Sequence, residues 1–266
     1  MAGLKRDRDG NSRPVVPDAS SGPFGDMFSS FCDELDQHYD RKERIIKASR
    51  DVTAHAKKII FALQRVKQLN CEFPASTQKD VDAHMASIAQ LLASIAPDLG
   101  PLNRYRYAWQ LRCMEELVEA LSFAHYLRHQ RIISPPELQA AMPVVPGATD
   151  APLTLSEHDY LYGLFDLFGE LMRFATVRRD KVLPAGKEGE EETHRPLLRD
   201  MQQLACAFEL LPPQSGKDFG QKMDVMRQSV CKVEMLGYGL VVRGSERPNG
   251  WVPDVKDQTS RPASPL

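Results

Sequence analysis

Four carboxylates have types and spacings that suit chemistry: Glu116 and Glu119, three residues apart, and Asp166 and Glu170, four apart. On a helix each pair projects to one side. Their setting is apolar. Met114, Leu117, Val118 and Leu121 cover one side of the first segment, and Trp109, Ala120, Phe123 and Leu127 share the other with Arg112, Glu116 and Glu119. In the second segment Leu161, Leu164, Phe165, Leu167, Phe168, Leu171, Met172 and Ala175 leave only a strip of Asp159, Tyr162, Asp166, Gly169, Glu170, Arg173 and Val177. Burying an unpaired carboxylate is costly, and gathering like charges raises its pKa further. A hard divalent cation, Mg²⁺ or Mn²⁺, offsets both penalties. Such a site polarises a phosphodiester and activates water at neutral pH, so metal-assisted phosphodiester hydrolysis is the reaction class these residues suit. Helix geometry alone leaves a second reading open, an ordinary salt-bridged face. In it Glu116 and Glu119 pair with Arg112 or a neighbouring helix, and Asp166 and Glu170 pair with Arg173.

A basic and aromatic stretch precedes and follows the first pair: Arg104, Arg106, Arg112, Arg128, His129 and Arg131, with Tyr105, Tyr107 and Trp109 interleaved. Cations bind phosphates and aromatic faces stack bases, so single-stranded RNA is a suitable ligand. Arg104 and Arg112, together with Arg173 beside the second pair, are the candidate nucleic-acid contacts. A helix end whose long side chains merely reach for solvent would look the same. Other chemistry lacks support. There is no G-x-x-x-x-G-K-[ST] loop and no G-x-S-x-G elbow. Glu116 is followed by Glu119 rather than by the histidine that a ferritin-like di-iron motif requires.

The elements that must carry these residues are helical. From Asp26 to Asn70 there is no Pro or Gly, and a 4,3 spacing runs through Phe31, Leu35, His38, Lys42, Ile45, Ser49, Val52, Ala56, Ile59, Leu63 and Val66. That is a heptad seam with polar interruptions. At about 1.5 Å per residue such a helix is about 67 Å long, more than one domain core can cover. Part of its seam is therefore expected to pack on another subunit; the alternative is a break near Tyr39 to Lys42. Further helices are expected from Ser76 to about Ile95, Leu102 to His129, Ser134 to Met142, Ser156 to Asp180, Arg195 to Leu211 and Ser215 to Val242. Val144 to Leu155 and Lys181 to His194 read as loops. Gly163 and Gly169 lie inside a helix, where each costs about 1 kcal/mol relative to Ala; such glycines usually mark a close approach by a backbone or a ligand. No β-alternation is present, so the fold class is all-α, a bundle of seven helices. Residues 1–23 and 253–266 read as polar tails around a helical domain spanning 24–252.

Composition narrows the partners. The 266 residues are 42% hydrophobic with a formal net charge of -2, so any nucleic-acid contact must be a local patch. The five cysteines are odd in number and form no C-x-x-C pair, which suits reduced, mostly buried thiols in an intracellular protein. The N-terminus lacks the apolar run of a signal peptide, and Tyr160 to Phe174 is interrupted by Asp166, Glu170 and Arg173, so no membrane partner is expected.

Several blocks together resemble the Trax branch of the translin family. They are Glu34-Leu35-Asp36, Lys42-Glu43-Arg44, Ser49-Arg50-Asp51-Val52-Thr53, Glu116-Leu117-Val118-Glu119-Ala120 with Ser122-Phe123, Asp159-Tyr160-Leu161 with Gly163, Asp166 through Arg173, Lys232-Val233-Glu234 and Val242-Arg243-Gly244-Ser245-Glu246. The resemblance covers roughly residues 26–255. It implies a seven-helix α-α bundle assembled with translin into a closed hetero-oligomer. It further implies Mg²⁺-dependent endoribonuclease activity on single-stranded RNA, including passenger strands in RNA silencing and tRNA precursor fragments. The family's catalytic acids fall on Glu116, Glu119, Asp166 and Glu170, with Glu119 and Glu170 as the metal ligands. A cytoplasmic and nuclear location is expected; the N-terminal Lys5, Arg6 and Arg8 are a thin nuclear signal. The alternative is a non-catalytic scaffold that stabilises translin and shapes its nucleic-acid cavity.

Overall fold

The structure is a computed structural model that describes residues 24–143, 155–183, 195–212 and 217–244. The expected tails, most of both expected loops and the Ser245-Glu246 end of the last motif lie outside the described residues. Among the described residues there are helices and no strands. The α-helices are α1 (Gly25–Leu63), α2 (Ala75–Ile95), α3 (Pro101–Arg106), α4 (Cys113–His129), α5 (Pro135–Ala141), α6 (Glu157–Val177), α7 (Leu197–Glu209) and α8 (Lys217–Gly244). Short 3₁₀ turns at Ala96–Asp98, Ala108–Leu111 and Arg179–Lys181 join some of them.

Local signals explain most boundaries. Ser134 and Glu137 form a reciprocal capping box at the start of α5, and Ser156 and Asp159 do the same for α6. Each box satisfies backbone donors that a helix start leaves open. α4 ends where Gln130 adopts φ 43°. The all-α expectation holds, with eight described α-helices in place of seven. The helix expected from Leu102 to His129 is split at Tyr107, which has φ -106° and ψ 18°. That turn buries Tyr107 against α1, its hydroxyl 2.8 Å from Nδ1 of His38. Trp109, expected on the apolar side of the acid-bearing helix, instead lies in the 3₁₀ turn and is 73% exposed.

Helix packing follows a row. α1 packs on α2 and α4, α4 on α6, α6 on α8, and α7 on α8 and α6. One apolar core joins them. Phe165 meets Phe208 and Phe219 edge to face, with ring centres 4.7 and 5.6 Å apart, and Phe123 meets Phe174 at 6.1 Å. Such pairs add about 0.5–1.5 kcal/mol each beyond area burial. This aromatic knot fixes α6 against α7 and α8.

α1 is continuous through Tyr39 to Lys42, so the two-helix alternative fails, but it stops at Leu63 rather than Asn70. Its 39 residues make a rod about 58 Å long. The seam divides in two. From Ile45 through Ser49, Val52, Ala56, Ile59 and Leu63 it is buried, whereas Phe31 and Leu35 are 50% and 67% exposed. The cysteines depart from expectation: all are free, yet only Cys113 is buried, while Cys32, Cys206 and Cys231 are exposed. The amphipathic helices that carry them have outer faces broad enough to take a small thiol. No described helix is long and apolar enough to cross a membrane.

Candidate active site

The four sequence-selected acids sit on neighbouring elements, two on α4 and two on α6. What brings these helices together is Gly163. A Cβ built there would stand 2.5 Å from Cγ1 of Val118 and 2.8 Å from the carbonyl oxygen of Glu115. Only a residue without a side chain lets the backbones approach so closely. Gly169 behaves differently. A Cβ there would meet nothing within 4 Å, so its absence leaves open space on the acidic strip instead of serving a backbone contact.

Glu119 is the centre of the electrostatics. It is 7% exposed, and among the described residues no side chain hydrogen-bonds or ion-pairs with its carboxyl. Burial pushes its pKa up, and Asp166, Glu116 and Glu170 push it further, to about 8. The other three acids have cations. Lys57 on α1 lies 3.3 Å from Glu116. Lys222 on α8 donates to both oxygens of Asp166 at 2.5 Å. Arg173 donates to Glu170 at 2.7 Å, and Gln64, just past the end of α1, donates to the same carboxylate at 2.7 Å. The salt-bridged alternative therefore describes three acids, and Glu119 is the exception.

The donor chemistry fits a hard divalent cation. Carboxylates from two helices raise the pKa of a buried carboxyl that has no side-chain partner, and a cation relieves that like-charge penalty. Oε1 of Gln64, beside Glu170, is also buried and has no hydrogen-bond donor, so a second hard oxygen is unsatisfied there. The fit is one of chemistry and placement rather than of a preformed cage: among the described residues no three His, Cys, Asp or Glu side chains stand together as a ready ligand set.

Sequence reading missed several members of this cluster. Glu115, one residue before a selected acid, is buried, and desolvation raises its pKa. Its signal was its own spacing, four residues before Glu119. Lys57, Gln64 and Lys222 come from α1 and α8, and nothing local marks them. The three candidate nucleic-acid arginines part company. Arg112 and Arg173 are mostly exposed at the edge of the strip, with Arg112 3.7 Å from Glu115. Arg104 turns inward and lies 3.3 Å from Asp159 of α6. Of the remaining basic residues, Arg128 stacks over Phe73 at 4.1 Å and Arg131 forms an exposed two-point ion pair with Glu137.

A sequence model of the translin family matches residues 40–244. The chain is 29% identical over 264 residues to Translin-associated protein X of Rattus norvegicus, covering 92% of this chain and 88% of that protein. It is 26% identical over 224 residues to the Translin-associated protein X homolog of Schizosaccharomyces pombe, covering 83% and 89%. Among solved structures, apo-NeC3PO is similar with a TM-score of 0.57 at 18% identity, covering 84% of this chain and 97% of that chain. An AfC3PO complex with duplex RNA is similar with a TM-score of 0.53 at 16% identity, covering 83% and 100%. At those identities the solved structures establish the fold.

Proposed function

The chain belongs to the translin family, and on that premise we propose that it is the catalytic subunit of a divalent-metal-dependent endoribonuclease acting on single-stranded RNA in a hetero-oligomer with translin. One observation carries this reading: Glu119 is buried on α4, has no side-chain partner, and feels the charges of Asp166, Glu116 and Glu170. A salt-bridged face would give Glu119 a cation, as it gives one to each of the other three acids. The relatives named Translin-associated protein X support the assembly, and the AfC3PO complex with duplex RNA supports nucleic acid as the ligand class.

Glu119 and Glu170 would hold the cation, Mg²⁺ or Mn²⁺, with Glu116 and Asp166 beside them. When bound, such an ion supplies Lewis-acid stabilisation of the charge that builds on a scissile phosphodiester. The chain's own residues do the rest. Gln64 fixes the orientation of the Glu170 carboxylate, and the open space at Gly169 admits the RNA backbone. Arg112 and Arg173, at the edge of the strip, are placed to hold phosphates. Arg104, the third candidate, is paired with Asp159 of α6.

RNA cleavage by the chain co-expressed with translin, in Mg²⁺ and in EDTA, tests the reading. Magnesium-dependent cleavage should fall by about a hundredfold or more in Glu119→Gln, the scale typical of a lost electrostatic stabiliser. Equal activity in the two proteins would favour the second reading, a non-catalytic scaffold subunit. That reading is supported by the cations already paired with Glu116, Asp166 and Glu170.

A further inference from the structure

We propose that the ammonium of Lys222 is the resident counter-ion of Asp166 on the acidic strip, and that a divalent cation must displace it to reach that carboxylate. This rests on the metal-dependent reading of the site. Lys222 comes from α8, a helix that carries none of the four acids, and its Nζ donates to both oxygens of Asp166. Neither partner is a surface group free to wander: the Lys222 side chain is 21% exposed and that of Asp166 32%. One helical turn before Asp166 on the same face of α6, the ring of Tyr162 lies 5.7 Å from the ammonium and itself stacks on His158 at 3.9 Å. The ammonium's charge reaches beyond Asp166, stabilising the ionised forms of Glu119 and Glu115.

Two cations cannot occupy one carboxylate at full strength. An ammonium bonded to both oxygens takes one acceptor site on each and neutralises the charge that would draw an ion, and it repels any divalent charge brought beside it. The lysine stem is long and flexible, so the ammonium can swing away once an ion takes its place. Lys222 thus sets the metal affinity of the strip without touching RNA or the reacting atoms.

The test is a calorimetric titration of the full chain with MnCl₂, comparing wild type, Lys222→Gln and Lys222→Arg, each checked by circular dichroism. Lys222→Gln should bind Mn²⁺ about tenfold more tightly, within the usual range for coupled ligands, and Lys222→Arg should stay near wild type. Equal or weaker binding by Lys222→Gln, with binding lost in Glu119→Gln, would overturn the role of Lys222 and leave the metal site standing. No binding in any of them would overturn both. Labelling of the unmodified chain with an amine-reactive ester gives a second measurement that needs no variant. Lys222 should react faster as Mg²⁺ is added while exposed Lys232 does not change. Unchanged labelling of Lys222 in Mg²⁺ sufficient to saturate binding would likewise overturn the proposal.

Discussion

Nε2 of Gln64 donates both to the backbone carbonyl of Glu170, at 3.0 Å, and to its carboxylate, at 2.7 Å. One amide from the end of α1 thus clamps main chain and side chain of an acid on α6. The clamp fixes the carboxylate's direction while leaving its charge intact. Groups that orient metal-binding carboxylates typically govern affinity or activity by about 10–100-fold. Gln64→Ala should lower the cleavage rate by that factor with a change in melting temperature of a few degrees at most. A variant as active as wild type would show that the orientation of Glu170 does not matter.

Glu119 gives the metal-free protein a pH dependence of definite sign. Its native pKa of about 8 exceeds the roughly 4.3 of an unfolded glutamate, so between those values the folded state binds the extra proton. This contribution to stability is full below the unfolded value and is lost as pH rises through the native one. Glu119→Gln removes the effect. In EDTA the variant should melt several degrees above wild type near pH 8 and close to it near pH 5. A gap that fails to widen with pH would mean that Glu119 already has a partner in solution. Adding Mg²⁺ near pH 8 should raise the wild-type melting temperature and leave the variant's unchanged.

The two glycines of α6 predict opposite outcomes for one substitution. Gly163→Ala drives a methyl group into Val118 and the carbonyl of Glu115, at a cost of about 1–3 kcal/mol. Gly169→Ala meets nothing and should stabilise the helix by about 0.5–1 kcal/mol. Chemical denaturation of both variants checks the pair. Equal effects would mean that α4 and α6 do not approach at Gly163 as described.

The outer half of α1 carries Phe28, Phe31 and Leu35, all exposed in the single chain. Apolar residues in such density on one rod mark a contact with another subunit. Replacing the three with Ser should reduce assembly with translin by at least tenfold while preserving helical content. The isolated wild-type chain should self-associate in light scattering. A triple variant that assembles normally would place the interface elsewhere.

Periodicity and capping chemistry made much of this molecule legible in advance. Ser134 with Glu137 and Ser156 with Asp159 announce helix starts because their hydrogen bonds close within a single turn. The pairs Glu116–Glu119 and Asp166–Glu170 stand out because helical spacing alone decides which residues share a face. The division of the α1 seam was also foreseeable in kind, since a rod of that length outruns any core. The break at Tyr107 was not, because no Pro or Gly marks it and what accompanies it is burial against α1 with a hydrogen bond to His38, 69 residues away. The ionic state of the strip was equally out of reach. Lys57, Gln64 and Lys222 arrive from helices far along the chain, and their sequence context is that of ordinary solvated side chains. Local sequence determined the helices and the faces of the acids. Tertiary packing decided which acids gained a cation and which one, Glu119, was buried without one, because burial and pairing depend on contacts that no local pattern encodes.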